Sequence, residues 1–292
     1  MAAFLSVGIW GFFAFPLRNL KAYRPEEILY YRIFSSLLVI GLAVLLFRRK
    51  QLRADMLYIK TVSKRERNLI VYQIIGATLL LTLNWYTFIY AINHVSLKSA
   101  AFAYMVCPLI TAFGGFLILK EHLSGLQLTA LGVALMSIIM LAGGSFIEVL
   151  WSVIIAALYA FYLIIQRKMQ VLDKLNVLAI QITCAVLLML PFYLHQHEAF
   201  PQGWWFWGNI FIIATLFTII PLFLSLYALI GIPSSTLGII IYLNPIIAFT
   251  VAVVYFDEKI SLPQLLAYLL LLFAVFLFNW NMIKDIITFK RK

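Results

Sequence analysis

A chain of 292 residues, 64% hydrophobic and 11% charged, cannot cover a folded surface in water, where about a quarter of residues are ordinarily charged. A soluble domain is excluded, and the composition requires a polytopic membrane protein. The net charge of +11 invites a nucleic-acid reading that the placement of the basic residues does not support.

Apolar stretches of the length that crosses a bilayer as an α-helix, about 17–25 residues, recur along the chain. In order they cover 2–17, 28–47, 69–92, 97–119, 126–142, 149–165, 175–194, 205–229, 234–256 and 262–282. Nothing reads as period-2 barrel strands, so helices are the remaining way to satisfy backbone in lipid. The longest polar stretch, 48–68, is too short for a separate domain and reads as a loop. The first span has no basic head before it and no A-x-A site after it, so a cleavable signal peptide is not expected.

With both termini inside, the inner loops and tail hold 16 Lys and Arg, and the outer loops five. That bias sets an N-in, C-in orientation. Eight of the sixteen crowd into one loop: Arg48, Arg49, Lys50, Arg53, Lys60, Lys64, Arg65 and Arg67. The basic excess is thus a topology signal. Cys107 and Cys184 fall inside spans and read as small buried residues.

The chain also repeats itself. At a shift of 137 residues, "CPLITAF" (107–113) falls on "NPIIAFT" (244–250), and Pro108, Glu121, Ser124 and Gln127 meet Pro245, Glu258, Ser261 and Gln264. Upstream, "ATL" at 77–79 meets "ATL" at 214–216, and Tyr90-Ala91 meets Tyr227-Ala228. The first two spans of each half align at 149 instead, where Trp10, Arg18 and Arg32 meet Tyr159, Arg167 and Gln181. The difference is absorbed in loops, 48–68 in the first half against 195–203 in the second. The expectation is an all-α protein of ten transmembrane helices, a 5+5 inverted repeat with units at 1–142 and 143–292. An odd number of spans per unit turns the second copy upside down, the plan of many secondary transporters.

Several stretches carry a family resemblance, almost end to end. They are "IWGFFAFPLR" (9–18), "EEILYYRIFSS" (26–36), "NWYTFIYAINH" (84–94), "AFAYMVCPLITAFGGFLILKEHLS" (101–124), "ATLFTIIPLFLSLYAL" (214–229) and "STLGIIIYLNPIIAFTVAVVYFDEKIS" (235–261). In that order they resemble the EamA-type carriers of the drug/metabolite transporter superfamily, and within them the RarD-like group. The resemblance implies a ten-helix inner-membrane carrier of small metabolites, often an exporter of amino acids or related compounds. Two departures stand out: Cys107 replaces the Asn or Gly expected before the first-half proline, and the N-terminal head is missing.

The candidate site follows from polar and ring-bearing residues set in lipid-length spans. Arg32 is the one basic residue inside a span, a functional placement by default that also lies within snorkelling reach of the interface. Its planar fork suits a carboxylate. Trp10, Asn84, Trp85, Tyr104, Tyr159, Tyr162, Tyr242 and Asn244 offer rings and a few polar tips to an organic solute, or pack helices together. Pro108, Pro221 and Pro245 are candidate hinges, or static kinks. Glu121 and Glu258, at matched helix ends, are candidate gates, or solvated charges. "GWWFW" (203–207) reads as an interfacial belt.

No P-loop motif, nucleophile motif or metal-ligand spacing occurs, so no enzyme, cofactor or metal is expected. The partners implied are a small-molecule substrate and the lipid bilayer, with no nucleic acid. The weighed alternatives are a channel-like pore and a membrane-embedded enzyme on lipid-linked substrates.

Overall fold

Apolar sequence in lipid can send its backbone hydrogen bonds only along its own chain or into a closed barrel, and here it does the former. The computed structural model describes residues 1–94, 97–141, 146–195, 200–244, 246–247, 250, 254, 262–281 and 284, and among these there are helices and no strands.

The first apolar stretch is two helices, α1 (Ala2–Gly11) and α2 (Ala14–Asn19). Next comes α3 (Pro25–Phe47), started by proline in its first turn and by Glu27, whose carboxylate accepts from the Arg24 N–H at 3.3 Å. Proline there loses no helical bond, and acid suits the positive helix start. The polar stretch expected to be a loop contains a helix, α4 (Arg49–Thr61), none of whose residues is buried.

Then come α5 (Lys64–His94), α6 (Leu97–Leu119), α7 (Gly125–Leu141), α8 (Phe146–Lys168) and α9 (Lys174–His195). The eighth apolar stretch is α10 (Trp204–Ala214), a π-helical turn (Thr215–Ile219) and α11 (Ile220–Gly231). Last are α12 (Ser234–Ile241) and α13 (Leu262–Phe278). Among the described residues, five segments are long and apolar enough to cross a membrane: Glu26–Phe47, Lys64–Phe88, Val149–Lys168, Lys174–His195 and Trp204–Gly231. Shorter apolar helices accompany them at Ala2–Leu17, Ala103–Leu119, Gly125–Met140 and Leu265–Phe278.

The helices pack α6 against α8 and α12, α7 against α13, α5 against α8, α1 against α11, and α3 against α9 and α10. Small residues set the α6–α12 crossing. A Cβ built on Gly238 of α12 would stand 2.7 Å from the Thr111 Cβ of α6, and one on Gly115 of α6 would stand 2.8 Å from the Ser234 hydroxyl of α12. Glycine therefore lets these two backbones meet, as small residues do where helices associate without a water-driven force. The largest core cluster gathers side chains of α1, α3, α5, α6, α8, α9, α11 and α12, Cys107, Tyr159 and Tyr162 among them.

Candidate functional site

At the centre of that cluster, side chains from opposite ends of the sequence converge. The Trp10 indole of α1 lies edge-on to Tyr159 of α8, with centroids 6.1 Å apart, and Tyr159 stacks on Tyr162 at 5.7 Å. The Arg32 guanidinium of α3 sits over the Trp85 ring of α5, 4.9 Å from its centroid. That is a cation–π contact, and it is strongest where water is excluded. Tyr104 of α6 meets Phe88 of α5 at 5.5 Å, and Cys107 lies about one turn further along α6.

The polar atoms of these residues divide into two sets. Three residues have donors committed to neighbouring helices. The Asn84 amide donates to the Ile155 carbonyl at 2.8 Å, tying α5 to α8. The Trp10 indole N–H donates to the Phe217 carbonyl at 2.9 Å, inside the π turn. The Tyr162 hydroxyl donates to Gln181 of α9 at 3.5 Å. Among the described residues, Arg32 Nε and the Tyr242 hydroxyl are buried without a hydrogen-bond partner, and the Tyr159 hydroxyl makes no hydrogen bond of full geometry although the Ser225 hydroxyl lies beside it. Thr78, Thr82 and Thr215 add further unpartnered polar atoms among these residues. Buried polar groups are almost always paired, and each exception asks for a water, an ion or a ligand. Asn244 is half-buried beside Tyr242.

Of the hinge candidates, Pro108 lies inside α6, which continues as one helix through it. Just beyond, the Thr111 hydroxyl donates to the Cys107 carbonyl at 2.8 Å. Pro221 opens α11 at the end of the π turn, and its carbonyl accepts from Ser6 at 2.7 Å. Pro245 and Glu258 lie outside the described residues.

Glu121 has a defined setting. Lys120 adopts a left-handed φ of 54°, the turn that ends many helices, and this swings Glu121 back across α6. Its carboxylate then receives the Ser234 N–H at 2.8 Å, the Ser234 hydroxyl at 2.9 Å and the Ser235 N–H at 3.0 Å. An anion thus caps the positive start of α12. One turn upstream, Arg167 donates to the Leu229 and Ile230 carbonyls at the negative end of α11, and Gln170 donates to Leu229 at 3.2 Å. The α11–α12 corner is held by opposite charges suited to its two helix ends. A cavity of about 370 Å³ opens beside it, lined by Leu119, Glu121, Arg167, Gln170 and Pro233.

Sequence reasoning gave Cys107, Gln181 and Arg167 no place in the site. Gln181 and Arg167 carried a trace, since the repeat places them opposite Arg32 and Arg18. Cys107, read as a small buried residue, carried one too, since the repeat places it opposite Asn244. In "GWWFW", Trp204 and Trp205 are exposed as a belt needs, whereas Phe206 is wholly buried.

Comparison with known proteins gives the site a setting. A model of the EamA-like transporter family matches the chain at residues 1–143 and again at 146–280. The chain is 28% identical to a protein named RarD of Streptomyces exfoliatus, over 96% of this chain and 88% of the relative. It is 25% identical to an uncharacterized transporter, YojE, of Bacillus subtilis, over 94% and 91% of the two chains. RarD of Escherichia coli K12 is 21% identical over 92% and 90%. One solved crystal structure superposes with a TM-score of 0.73 at 16% identity, over 96% of both chains; that likeness concerns the fold.

Proposed function

This chain belongs to the EamA-like transporter family and is a multi-pass membrane protein, and from that premise we propose a secondary carrier that exports small metabolites such as amino acids by alternating access. The observation that carries the reading is the set of buried polar atoms that lack a full hydrogen bond among the described residues, Arg32 Nε and the Tyr159 and Tyr242 hydroxyls. They come from α3, α8 and the end of α12, and a solute with a carboxylate and a further polar group offers partners of the kind they need. Arg32 supplies the charge and a planar fork for a carboxylate. Trp10, Trp85, Tyr104 and Tyr162 supply ring faces for the solute's body, and Asn84 and Asn244 its amide contacts.

The proposed frame is ten spans in an inner membrane, N-in and C-in, as inverted units 1–142 and 143–292. The twofold match of the family model supports the division. So does the reciprocal packing: α5 on α8 has its counterpart in α11 on α1, and α3–α9, α6–α12 and α7–α13 pair equivalent helices. In inverted-repeat carriers the site lies at the repeat interface near the midplane, and one bundle rocks on the other. Pro108, Pro221 and Pro245 would take up the bending. Glu121, holding α12 by its N-terminus, would release it when the inner side opens, and Glu258 occupies the matched sequence position in the second unit.

The test is flux of labelled amino acids and related metabolites in proteoliposomes, comparing wild type with Arg32→Lys and Tyr159→Phe. A carboxylate solute should show saturable flux, and Arg32→Lys should raise its KM by about tenfold or more, the loss of one charge-assisted bond pair. Saturable flux that neither variant changes would sink the site. Currents that never saturate would favour a pore, and conversion of a lipid-linked compound would favour an enzyme.

A further inference from the structure

Eight basic residues between 48 and 67 do more than set orientation. In α4, Asp55 is turned toward the rest of the protein: its carboxylate receives the Asn176 amide at 2.6 Å and the Asp173 N–H at 3.3 Å, at the start of α9. Arg48, between α3 and α4, pairs with Asp173 at 3.5 Å. Leu52, Tyr58 and Ile59 pack inward beside Asp55. These contacts fix the helix about its own axis.

At about 100° per residue, the face opposite Asp55 carries Arg49, Lys50, Arg53, Leu57 and Lys60, with Met56 at its edge. All six are exposed, Met56 at 54% and Leu57 at 63%. The helix continues directly from the membrane end of α3, across the single residue Arg48. Of the two acids in the stretch, Asp55 faces inward and Glu66 is engaged by the Ser63 N–H and hydroxyl at 3.2 and 3.0 Å. The outward field is therefore strongly positive, around two apolar side chains.

We infer that this face of α4 is a docking surface for anionic lipid headgroups of the leaflet at which α3 ends, with Arg49, Lys50, Arg53 and Lys60 on the phosphates and Met56 and Leu57 seated among the acyl chains. A basic amphipathic helix with a few apolar residues lies in the interface in this way, and each Lys or Arg close to an anionic surface adds roughly fivefold to the attraction. Because Asp55 ties the helix to the start of α9, the lipid would be felt by the second half of the chain.

The test is amide exchange of residues 48–63 in the full-length protein, in nanodiscs of phosphatidylcholine alone and with a third phosphatidylglycerol. The expected result is exchange slowed about tenfold or more by phosphatidylglycerol, with protection lost in the Arg49→Gln/Lys50→Gln/Arg53→Gln/Lys60→Gln variant and in high salt. Unchanged exchange in the two lipids would overturn the inference. So would protection that survives the fourfold variant. Asp55→Asn, which leaves the basic face intact, should keep the lipid effect while speeding exchange at the start of α9; loss of the lipid effect there would count against a docking face. Folding of each variant is read from the exchange of α8, and no solute is needed, so failure here is separable from failure of the carrier reading.

Discussion

The two ends of the helix bundle are fastened by different chemistry. Helix α9 runs about 33 Å, at 1.5 Å per residue, with Asp173 just before its start and Tyr193 in its last turn. At the first end the fastenings are charged and directional: Glu121 on the start of α12, Arg167 on the end of α11, Asp55 on the start of α9. At the second they are rings. Tyr31 packs edge-on against Tyr193, Phe200, Phe206 and Trp207 at 5.2 to 5.9 Å, and its hydroxyl meets that of Tyr193 at 3.2 Å. Charge-assisted bonds break one at a time and leave no void. A ring cluster opens only by exposing large surfaces together. Under the proposed alternating access, the charged end is the one that would let go, and the aromatic end would serve as the fulcrum.

The sharpest way to break this contrast is to hollow the fulcrum. Phe206→Ala removes a wholly buried ring and should cost about 3–5 kcal/mol, read as a lowered unfolding midpoint in detergent. A loss near zero would mean the rings are surface furniture. Next in size is Glu121→Gln, which leaves one of three donors without its acceptor and should cost about 1–3 kcal/mol. Its larger signature is access: a cysteine placed at Gln170, lining the cavity beside Glu121, should react faster with an impermeant thiol reagent. Equal rates would show that the carboxylate fastens nothing. The smallest effect belongs between the ends, where Asn84→Leu removes one α5–α8 bond. Interhelical bonds in bilayers average about 0.6 kcal/mol, and a much larger loss would place Asn84 in the fulcrum's class.

Much of the helical frame was legible, because lipid-length apolar runs leave the backbone no other choice. The helix α4 was not, since its 13 residues have no apolar run and its register depends on Asp55 finding α9. The site was legible by residue type alone. Arg32, Trp10, Asn84 and Tyr159 were singled out because polar tips in lipid need a reason. That Asn84 and Trp10 give their donors to backbone carbonyls, while Arg32 keeps an unpartnered atom and Tyr159 makes no full hydrogen bond, depends on helix rotation that no one-dimensional pattern carries. Glu121 was read as a gate or a solvated charge, and its acceptor role required the left-handed turn at Lys120.

The π turn at Thr215–Ile219 has a consequence for how far the two halves can mirror one another. Such a turn takes in about one residue more than an α turn, so everything after it is rotated by roughly 100° relative to an unbroken α-helix. The chain keeps the letters of 77–91 and 214–228 in step without a gap, yet α5 passes through its copy with no π turn. Each of the matched tyrosines keeps a tilted ring four residues back, Tyr86 and Phe223, but Tyr90 also stacks on Trp151 at 5.0 Å while Tyr227 is 56% exposed. Matched letters thus do not bring matched surroundings, so a substitution made at both members of a matched pair is two different experiments.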